Sequence, residues 1–454
     1  MVVSVKRYLG YKRYKDSGIE WIGEVPEHWD VTLLKLLCKR ITDGSHFSPE
    51  TIDDGFPYVT VKDVINGKID IKNCSKISFD DFSKLSKNGC RPLKNDILLS
   101  KDGTIGRAAI VKEENIVVLS SLAIISPKEN KVLSNFLYYW LISSINIDQM
   151  YSFIAGAALK RLTIQTLNKM IMIAPTLEEQ QKIAAFLDRE TSKLDLLVEK
   201  KERLIELLKE KRQAIITQAV TKGLDPNVPM KDSGVEWLGE VPEHWNVLQI
   251  KHIDKNDSEI AQTGPFGAQL HASDYIDEGV PLILIKHIND FQIDSNDMPK
   301  ISAVKAAQLS MYRLKENDIV FSRVGSMGRT ALIKKEQEEW LISGQMLRLR
   351  IKNKNVNKQF LVYLFSSGVS SNYLQLMSVG STRESINTNI LRNMLIALPS
   401  LREQQRIIEY LDNKTSTINT LINKIHQQIT KIKEYRQALI SAAVTGKIDV
   451  RDEV

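Results

Sequence analysis

The sequence is poor in cysteine and in aromatic residues. Only Cys38, Cys74 and Cys90 occur among its 454 residues, and their spacing matches neither a metal site nor a CxxC pair. An odd, sparse set of cysteines favours a reducing compartment, so the expected location is the cytoplasm. No run approaches the ~20 apolar residues of a membrane span. The first residues, MVVSVKRYLGYKRYK, also lack the apolar core of a signal peptide.

Motifs of common nucleic-acid enzymes are absent as well. The sequence contains no Walker A or DEAD-like segment, no DPPY or NPPF tetrapeptide and no glycine-rich adenosylmethionine motif. It contains no nuclease core of the PD-(D/E)xK type and no HExxH. An ATPase, a self-sufficient DNA methyltransferase, a nuclease and a zinc protease are therefore not expected, and we predict that the chain is not an enzyme.

Two long segments without proline dominate what is present, residues 177–221 and 401–445. Capping boxes, in which two side chains satisfy free backbone N–H groups, mark both starts: Thr176 with Glu179, and Ser400 with Glu403. At 1.5 Å per residue, each helix would span roughly 65 Å. The apolar stripes predicted to seek a partner helix are Ile183, Leu187, Leu194, Leu197, Leu204, Leu208 and Ile215, and then Ile407, Leu411, Ile418, Leu421, Ile425, Ile432 and Leu439.

The chain repeats itself. Residues 15–31 (KDSGIEWIGEVPEHWDV) and 231–247 (KDSGVEWLGEVPEHWNV) differ at only three positions. DILLSKDGTIGRAAIV is likewise echoed by DIVFSRVGSMGRTALI, and the long helices match at an offset of 224. We predict an α+β fold with two similar globular domains. The predicted boundaries are 1–176 for the first domain, 177–222 for the first helix, 223–400 for the second domain with its linker, and 401–454 for the second helix and tail.

Within each copy, short strands and helices are expected to alternate. Residues 57–64 and 97–100 have the continuous apolar or β-branched character of buried strands. Residues 135–145 are more typical of a helix. The repeated EHW segments, with His28 and Trp29 in the first copy, are interpreted as packed structural segments. A catalytic or metal-binding histidine would need other ligands, and the neighbouring sequence has no such cluster.

A glycine-containing loop, residues 101–107, recurs as residues 323–329, with Arg107 and Arg329 retained. Glycine allows a phosphate to approach the backbone closely, and arginine adds a charge-assisted hydrogen bond. A hairpin turn with an exposed arginine explains a single copy equally well, but recurrence in both copies favours a shared role. The net charge of +7 also suits a nucleic-acid partner, although more than half of it lies in the two long helices.

Other loops occupy equivalent places but differ in sequence. TDGSHF in the first copy stands opposite TGPFGAQ in the second, and GAALKR stands opposite GSTRES. Polar loops that vary on a duplicated framework fit two related surfaces that recognise two different targets. Ordinary loop divergence explains the same pattern, and the sequence does not decide between these alternatives.

Taken together, the motifs resemble the specificity subunit of type I restriction–modification systems. The resemblance rests on the paired KDSGxEWxGEVPEHW segments, the DGSHF loop and the two glycine-containing loops. It also rests on the LxEQQxI starts and RQAxI…AVT ends of the long helices, and it covers nearly the whole chain.

The resemblance implies two target recognition domains that read the halves of a bipartite, asymmetric sequence in double-stranded DNA. It implies an antiparallel coiled coil that separates them and docks two modification (methyltransferase) subunits, with restriction/translocase subunits added outside. S-adenosylmethionine, ATP and Mg²⁺ would reside on those partners, with no cofactor and no metal in this chain. Candidate DNA-contacting residues, chosen by loop position, are Ser45, His46, Lys101, Arg107, Lys160, Arg161, Gln269, His271, Arg323, Arg329, Thr382 and Arg383.

One alternative from another class remains open at this point. A coiled-coil scaffold whose globular ends bind other proteins would show the same duplication and the same long helices. Co-purification with a methyltransferase-sized partner would discriminate between the two hypotheses.

Overall fold

The computed structural model describes residues 8–154, 161–254, 259–289, 291–324, 329–378 and 385–453. The chain divides into two compact units. Unit 1 comprises Met1–Lys201 and His426–Val454, and unit 2 comprises Glu202–Ile425. Each unit therefore holds one globular domain and half of each long helix. No helix among the described residues is long and apolar enough to cross a membrane.

Unit 1 and the first long helix contain short strands with helices between and after them. The strands are β1 (Tyr14–Asp16), β2 (Glu24–Pro26), β3 (Asp30–Leu33), β4 (Cys38–Asp43), β5 (Phe56–Val59), β6 (Val64–Ile65), β7 (Lys68–Ile69), β8 (Ser75–Ile77), β9 (Ile97–Ser100), β10 (Ala108–Ile110), β11 (Val117–Val118), β12 (Leu122–Pro127) and β13 (Ile171–Ala174). The helices are α1 (Leu34–Leu37), α2 (Phe79–Lys87), α3 (Ser134–Ile142), α4 (Ser144–Ile154), α5 (Ile164–Lys169) and α6 (Leu177–Lys222), with a 3₁₀ turn at Val61–Asp63.

Unit 2 and the second long helix repeat this order. The strands are β14 (Met230–Asp232), β15 (Glu240–Pro242), β16 (Asn246–Gln249), β17 (Ala261–Thr263), β18 (Tyr275–Ile276), β19 (Val280–Ile283), β20 (Ile288–Asn289), β21 (Gln292–Ile293), β22 (Lys300–Ile301), β23 (Ile319–Ser322), β24 (Thr330–Leu332), β25 (Leu341–Ile342), β26 (Met346–Leu349) and β27 (Leu395–Leu398). The helices are α7 (Ala303–Gln308), α8 (Lys358–Ser366), α9 (Gly368–Ser378), α10 (Thr388–Asn393) and α11 (Leu401–Val444). Turns of 3₁₀ helix occur at Ile250–His252, Gly267–Gln269, Ala272–Asp274, Ile285–His287, Ser310–Tyr312 and Lys335–Gln337.

Sheet topology confirms the duplication. Unit 1 contains an antiparallel sheet of order β10-β9-β12-β4, and unit 2 contains its counterpart, β24-β23-β26-β17. In both units a second sheet includes one parallel pair, β5 with β11 and β19 with β25. The strand that leads into each long helix pairs with an early strand, β13 with β3 and β27 with β16. The α+β class with two similar domains is therefore confirmed.

The long helices pair antiparallel within each unit. In unit 1, Asp195 pairs with Arg436 (Oδ1 to Nε, 2.9 Å), and Lys201 donates to Gln428 (Nζ to Oε1, 2.7 Å). Numbers that rise along α6 fall along α11, as antiparallel packing requires. In unit 2, Arg212 of α6 donates to Asn419 of α11. The predicted coiled coil is thus confirmed, with these polar pairs at the edge of its apolar seam.

The prediction of the apolar stripes was wrong at two positions. Leu204 and Leu421 are each 44% exposed, whereas the neighbouring Ile205 and Ile422 are buried. The buried positions of α11 alternate in steps of four and three, the spacing that keeps a seam facing its partner helix. These positions are Leu411, Thr415, Ile418, Ile422, Ile425, Ile429 and Ile432.

A buried glutamine fastens the start of each long helix to its globular domain. Gln180 accepts a hydrogen bond from the N–H of Leu133 and donates to the carbonyls of Lys131 and Pro175. Gln404 makes the equivalent three bonds to Asn357, Asn355 and Pro399. This explains why the EQQ sequence recurs at both helix starts: a buried amide must have all of its polar atoms satisfied.

Two predicted elements are interrupted. The predicted helix 135–145 is broken at Ser143, whose Oγ donates to the carbonyl of Trp140 and accepts the N–H of Asn146. The predicted strand 57–64 ends at Val59, because Thr60 turns and bonds to Asp63 through both its N–H and its hydroxyl. In both places a local side-chain bond competes with the regular element.

Candidate functional site

The repeated EHW segment packs against the start of each long helix. His28 Nε2 lies 2.9 Å from Glu179 Oε1, and the indole N–H of the buried Trp29 donates to the same oxygen at 3.4 Å. In unit 2 the carboxylate of Glu403 accepts from His244 at 2.9 Å and from Trp245 at 3.0 Å. The interpretation as a packed segment is confirmed. The carboxylate that meets His28 comes from the helix capping box, and it is a single hydrogen-bonded partner.

The glycine-containing loop begins at the end of a central strand in both units. In unit 1, Ser100 closes it, because its N–H donates to the Arg107 carbonyl and its Oγ accepts the Arg107 N–H at 2.8 Å. Gly103 and Gly106 have φ values of 68° and 90°, a region that favours glycine. In unit 2, Ser322 makes the same two bonds to Arg329. Both arginine side chains are exposed.

Lys101 lies at the base of this loop and is buried, with 1% of its side chain exposed. Its ammonium lies 3.1 Å from Asp43 Oδ1 and 3.9 Å from Asp102 Oδ2. Asp43 also faces His46 at 3.5 Å, and Asp102 pairs with Arg161 at 3.1 Å. The ends of two strands and two loops therefore meet in one charged cluster, with His46 and Arg161 at its exposed rim.

In unit 2, Arg323 occupies the position equivalent to Lys101. Lys101 accepts the N–H of Leu162 through its carbonyl, and Arg323 accepts the N–H of Ile386 in the same way. Among the residues that the structure describes, no carboxylate pairs with the Arg323 guanidinium; instead it lies over the ring of Phe266, 4.9 Å from the centroid. Burial lowers the pKa of Arg323, although arginine remains charged at any physiological pH.

Two glycines align the variable loops of the two units. Gly44 donates to the carbonyl of Leu122, and Gly264 donates to the carbonyl of Met346. A Cβ on either glycine would come within 2.3 Å of a neighbouring carbonyl oxygen, so no larger residue fits. His46 therefore corresponds to Phe266, and Asp43 corresponds to Thr263. Identical backbone positions carry different chemistry in the two units.

The remaining candidates differ in accessibility. Ser45 is buried, and its hydroxyl shapes its own loop by bonding the backbone of Phe47. Gln269 is exposed, with its Oε1 accepting from the Tyr312 hydroxyl at 3.0 Å. His271 is exposed, and its backbone N–H bonds to Asp274 and holds the pKa of that carboxyl below its ordinary value. Lys160, Thr382 and Arg383 lie outside the described residues.

Two exposed aromatic residues escaped selection by sequence. Phe47 and Phe266 are each 49% exposed, and each has a cation near its ring, Lys84 at 4.8 Å and Arg323 at 4.9 Å. Their position beside the variable loops gave a signal, because DGSHF and TGPFG both contain them. Among the described residues, no group of three or more His, Cys, Asp or Glu side chains is placed to hold a metal ion.

Known proteins share both the sequence pattern and the duplicated organisation described above. The family model for the type I restriction modification DNA specificity domain matches residues 26–207 and 274–431. The type I restriction enzyme EcoBI specificity subunit of Escherichia coli is 24% identical over 419 residues, 90% of this chain and 84% of that protein. The MjaVIII specificity subunit of Methanocaldococcus jannaschii is 25% identical over 437 residues, 94% of this chain and 95% of that protein.

A solved structure shows the same fold. That structure concerns complex assembly and conformational transition of the type I R-M system. The matching chain has a TM-score of 0.67 and 17% identity, and the alignment covers 93% of this chain and 99% of that one.

Proposed function

The chain belongs to the family of type I restriction–modification DNA specificity subunits, and from that premise we propose that each globular unit reads one half of a bipartite, asymmetric DNA target. Subunits of this family recognise DNA and are not the catalytic component.

One observation carries the proposal. At matched backbone positions, unit 1 presents His46 and Lys101 with Asp43, whereas unit 2 presents Phe266 and Arg323 with Thr263. Bases differ at their groove edges in hydrogen-bond donors, acceptors and methyl groups, so different side chains on one framework select different sequences. Two units with a shared backbone and different loop chemistry suit two unlike half-sites.

Exposed arginines are the proposed phosphate contacts. Arg107 and Arg329 extend from loops of the same backbone shape, and neither forms an ion pair among the residues that the structure describes. Phosphate contacts position a protein on the duplex and supply most of its salt-dependent affinity, whereas base contacts supply specificity. His46, Gln269 and His271 are exposed and polar, which suits base reading. Lys101 and Ser45 are buried, so their proposed part is to hold the loops that make the contacts.

The paired helices are the proposed spacer and docking surface. Their exposed faces carry both charge signs, and α6 is close to neutral, so DNA contact along its length is not favoured. We propose that two modification subunits dock there, with restriction/translocase subunits outside them. Adenosylmethionine, ATP and Mg²⁺ would belong to those partners.

Methylation sequencing tests the proposal. The chain is expressed with an adenine methyltransferase partner, and modified bases are mapped in host DNA with and without it. We expect one bipartite methylated motif that depends on this chain. Replacing Asp43, His46 and Lys101 together by the residues of unit 2 (Asp43→Thr, His46→Phe and Lys101→Arg) exchanges the whole set, so that no buried lysine is left without its carboxylate. This variant should change one half of the motif and leave the other half unchanged. Changes in both halves, or no motif, would contradict the assignment of one half-site to each unit.

A further inference from the structure

A groove of about 1090 Å³ lies in unit 2 beside the first turns of α11. One wall is the helix face that carries Arg402, Arg406 and Tyr410, and the other is the chain that leaves α6, with Leu224 and Val228. Tyr410 is 38% exposed and Leu224 is 41% exposed. An aromatic ring and a leucine thus remain open to solvent in a concave site.

The corresponding place in unit 1 is filled by the chain itself. Phe186 stands at the position of Tyr410, and the ring of Tyr8 packs edge-on against it with centroids 5.3 Å apart. Tyr11 packs against Trp29 with centroids 5.4 Å apart. Arg451 from the C-terminal tail then covers the Tyr11 ring at 4.7 Å. An extended segment with two tyrosines therefore occupies this surface in unit 1.

Connectivity explains why unit 2 lacks that segment. In unit 1 two separate pieces of chain converge: residues 8–13, which precede β1, and residues 445–453, which follow α11. In unit 2 only the link 223–229 joins α6 to β14, and it takes the part of the C-terminal tail. Gly223 packs beside Pro242 and Trp245, as Gly446 packs beside Pro26 and Trp29. The same link also replaces the end of residues 8–13, because the Glu243 N–H bonds to the Pro229 carbonyl as the Glu27 N–H bonds to the Arg13 carbonyl. It contains no aromatic residue to take the place of the two tyrosines.

The charge of the vacant surface differs from that of the filled one. Positions held by Glu178, Lys182 and Glu190 in unit 1 are Arg402, Arg406 and Lys414 in unit 2. Lys414 lies 5.6 Å from the centroid of the Tyr410 ring. Arg402 and Arg406 form no ion pair within the described part of the chain.

Three carboxylates also line this groove, and their hydrogen bonds fix them in place without removing their negative charge. Glu403 bonds to His244 and Trp245, Glu409 accepts from Gln405, and Asp225 accepts from the Asn227 N–H. The helix face formed by positions 402, 406 and 414 nevertheless carries three positive charges, where the equivalent face of unit 1 carries two negative charges and one positive charge. That face would attract the anionic groups of a partner.

We propose that this groove binds one extended, acidic segment of a partner protein, with an aromatic side chain of that segment stacked on Tyr410. The aromatic component follows from the Tyr8–Phe186 contact at the equivalent place, and the acidic component follows from Arg402, Arg406 and Lys414. A second copy of residues 8–13 is a poor match, because Lys12 and Arg13 would face like charges. One site per chain is expected, since unit 1 fills its own groove.

Calorimetric titration of the full chain tests this proposal. The probe is the synthetic peptide Asp-Glu-Tyr-Leu-Gly-Tyr-Asp-Glu, which keeps the tyrosine spacing of residues 8–11 and adds acidic flanks. We expect one site with a dissociation constant below about 100 µM. The same peptide with lysine flanks, or with serine in place of both tyrosines, should bind at least about tenfold more weakly. No binding, two equal sites or equal affinity for acidic and basic peptides would overturn the proposal.

Variants locate the site. Arg406→Glu and Tyr410→Ala should each weaken peptide binding about tenfold or more, because one reverses a facing charge and the other removes the stacking partner. Lys182→Glu is the matched control: it makes the same charge change at the equivalent position of unit 1 and should leave affinity unchanged. Equal losses in Arg406→Glu and Lys182→Glu would show a general charge effect and overturn the proposal.

DNA binding by the same samples separates this proposal from the proposed recognition function. Arg406→Glu and Tyr410→Ala should retain the DNA affinity of the parent chain. Loss of DNA binding in every sample, with peptide binding intact, would contradict the recognition proposal alone. Loss of peptide binding in the parent, with DNA binding intact, would contradict only the groove.

Discussion

His28 Nε2 lies 2.9 Å from Glu179 Oε1, although 151 positions separate the two residues in the chain. Glu179 also accepts hydrogen bonds from the Thr176 N–H and hydroxyl, which close the capping box of α6. One carboxylate therefore caps the long helix and attaches the amino-terminal segment to it. The equivalent pair, His244 and Glu403, makes the same 2.9 Å contact in unit 2.

Removing this carboxylate should destabilise unit 1. In Glu179→Ala, Trp29 and His28 lose their shared acceptor, and an unsatisfied buried donor costs about 1–3 kcal/mol. Urea unfolding followed by tryptophan fluorescence measures the loss. Glu178→Ala is the control, because Glu178 is exposed and pairs with Lys182 one turn on, so its effect should stay within about 0.5 kcal/mol. Equal losses in both variants would rule out a special role for Glu179.

Acidic pH should remove the stabilisation that the Glu179 carboxylate provides. Burial raises the pKa of Glu179, but hydrogen bonds from His28, Thr176 and Trp29 outweigh burial, so its pKa lies below the ordinary value. A carboxyl group whose pKa is lower in the folded state than in the unfolded state stabilises the fold. This stabilisation is complete above the unfolded-state pKa of about 4.3 and is lost as the pH falls through the folded-state pKa. The difference in unfolding free energy between the parent chain and Glu179→Gln should therefore shrink below about pH 4.3. A difference that grows on acidification would contradict this linkage.

The exposed arginines of the glycine-containing loops should contribute to DNA affinity. Arg107→Ala and Arg329→Ala should each weaken binding and reduce the slope of log K against log salt by about 1, since each removes one phosphate contact. Binding isotherms over a salt series measure the slope. Arg203→Ala on the exposed face of α6 removes an equal charge and should leave the slope unchanged. The assignment fails if both loop variants keep the parental slope.

Lys101 should be needed for the stability of the loop that surrounds it. Lys101→Met leaves Asp43 without its cation in a mostly buried cluster, which should cost about 2–4 kcal/mol in thermal or urea unfolding. Unit 2 suggests the compensating change, because Thr263 stands where Asp43 does. The double variant Lys101→Met with Asp43→Thr should recover part of the loss. No recovery would mean that Asp43 and Lys101 are not energetically coupled.

Lengthening both helices by one heptad should lengthen the spacer of the DNA target. Seven residues inserted after Lys201 and seven after Ile425 preserve the alternation of buried seam positions. At 1.5 Å per residue the helices grow by roughly 10 Å, which matches about three base pairs. Methylation sequencing should show unchanged half-sites with a longer gap. An unchanged gap would contradict the role of the helices as a spacer. The contrasting variant has seven residues added to α6 alone, which should disrupt the seam between the two helices.

Much of the fold could be predicted because its signals are local or repeated. The capping boxes at Thr176 and Ser400 mark the helix starts, since a cap needs only residues three positions apart. The repeat revealed two domains, since equal sequences form equal elements. The two errors in the helix stripe, Leu204 and Leu421, have a simple reason. Apolar residues outnumber the positions that a two-helix seam can bury, and the alternation of steps of three and four selects among them.

The contacts within the candidate site are decided mainly by the tertiary structure. The sequence by itself determined which loops differ between the copies and which arginines recur. It did not determine that Lys101 is buried against Asp43, because the two residues are 58 positions apart and the five strands β5–β9 lie between them in the chain. Nor did it reveal the acceptor for His28, or the groove at Tyr410 that residues 8–13 fill in one unit alone. Such contacts arise when distant segments exclude water together, and only the folded chain decides which side chains remain exposed.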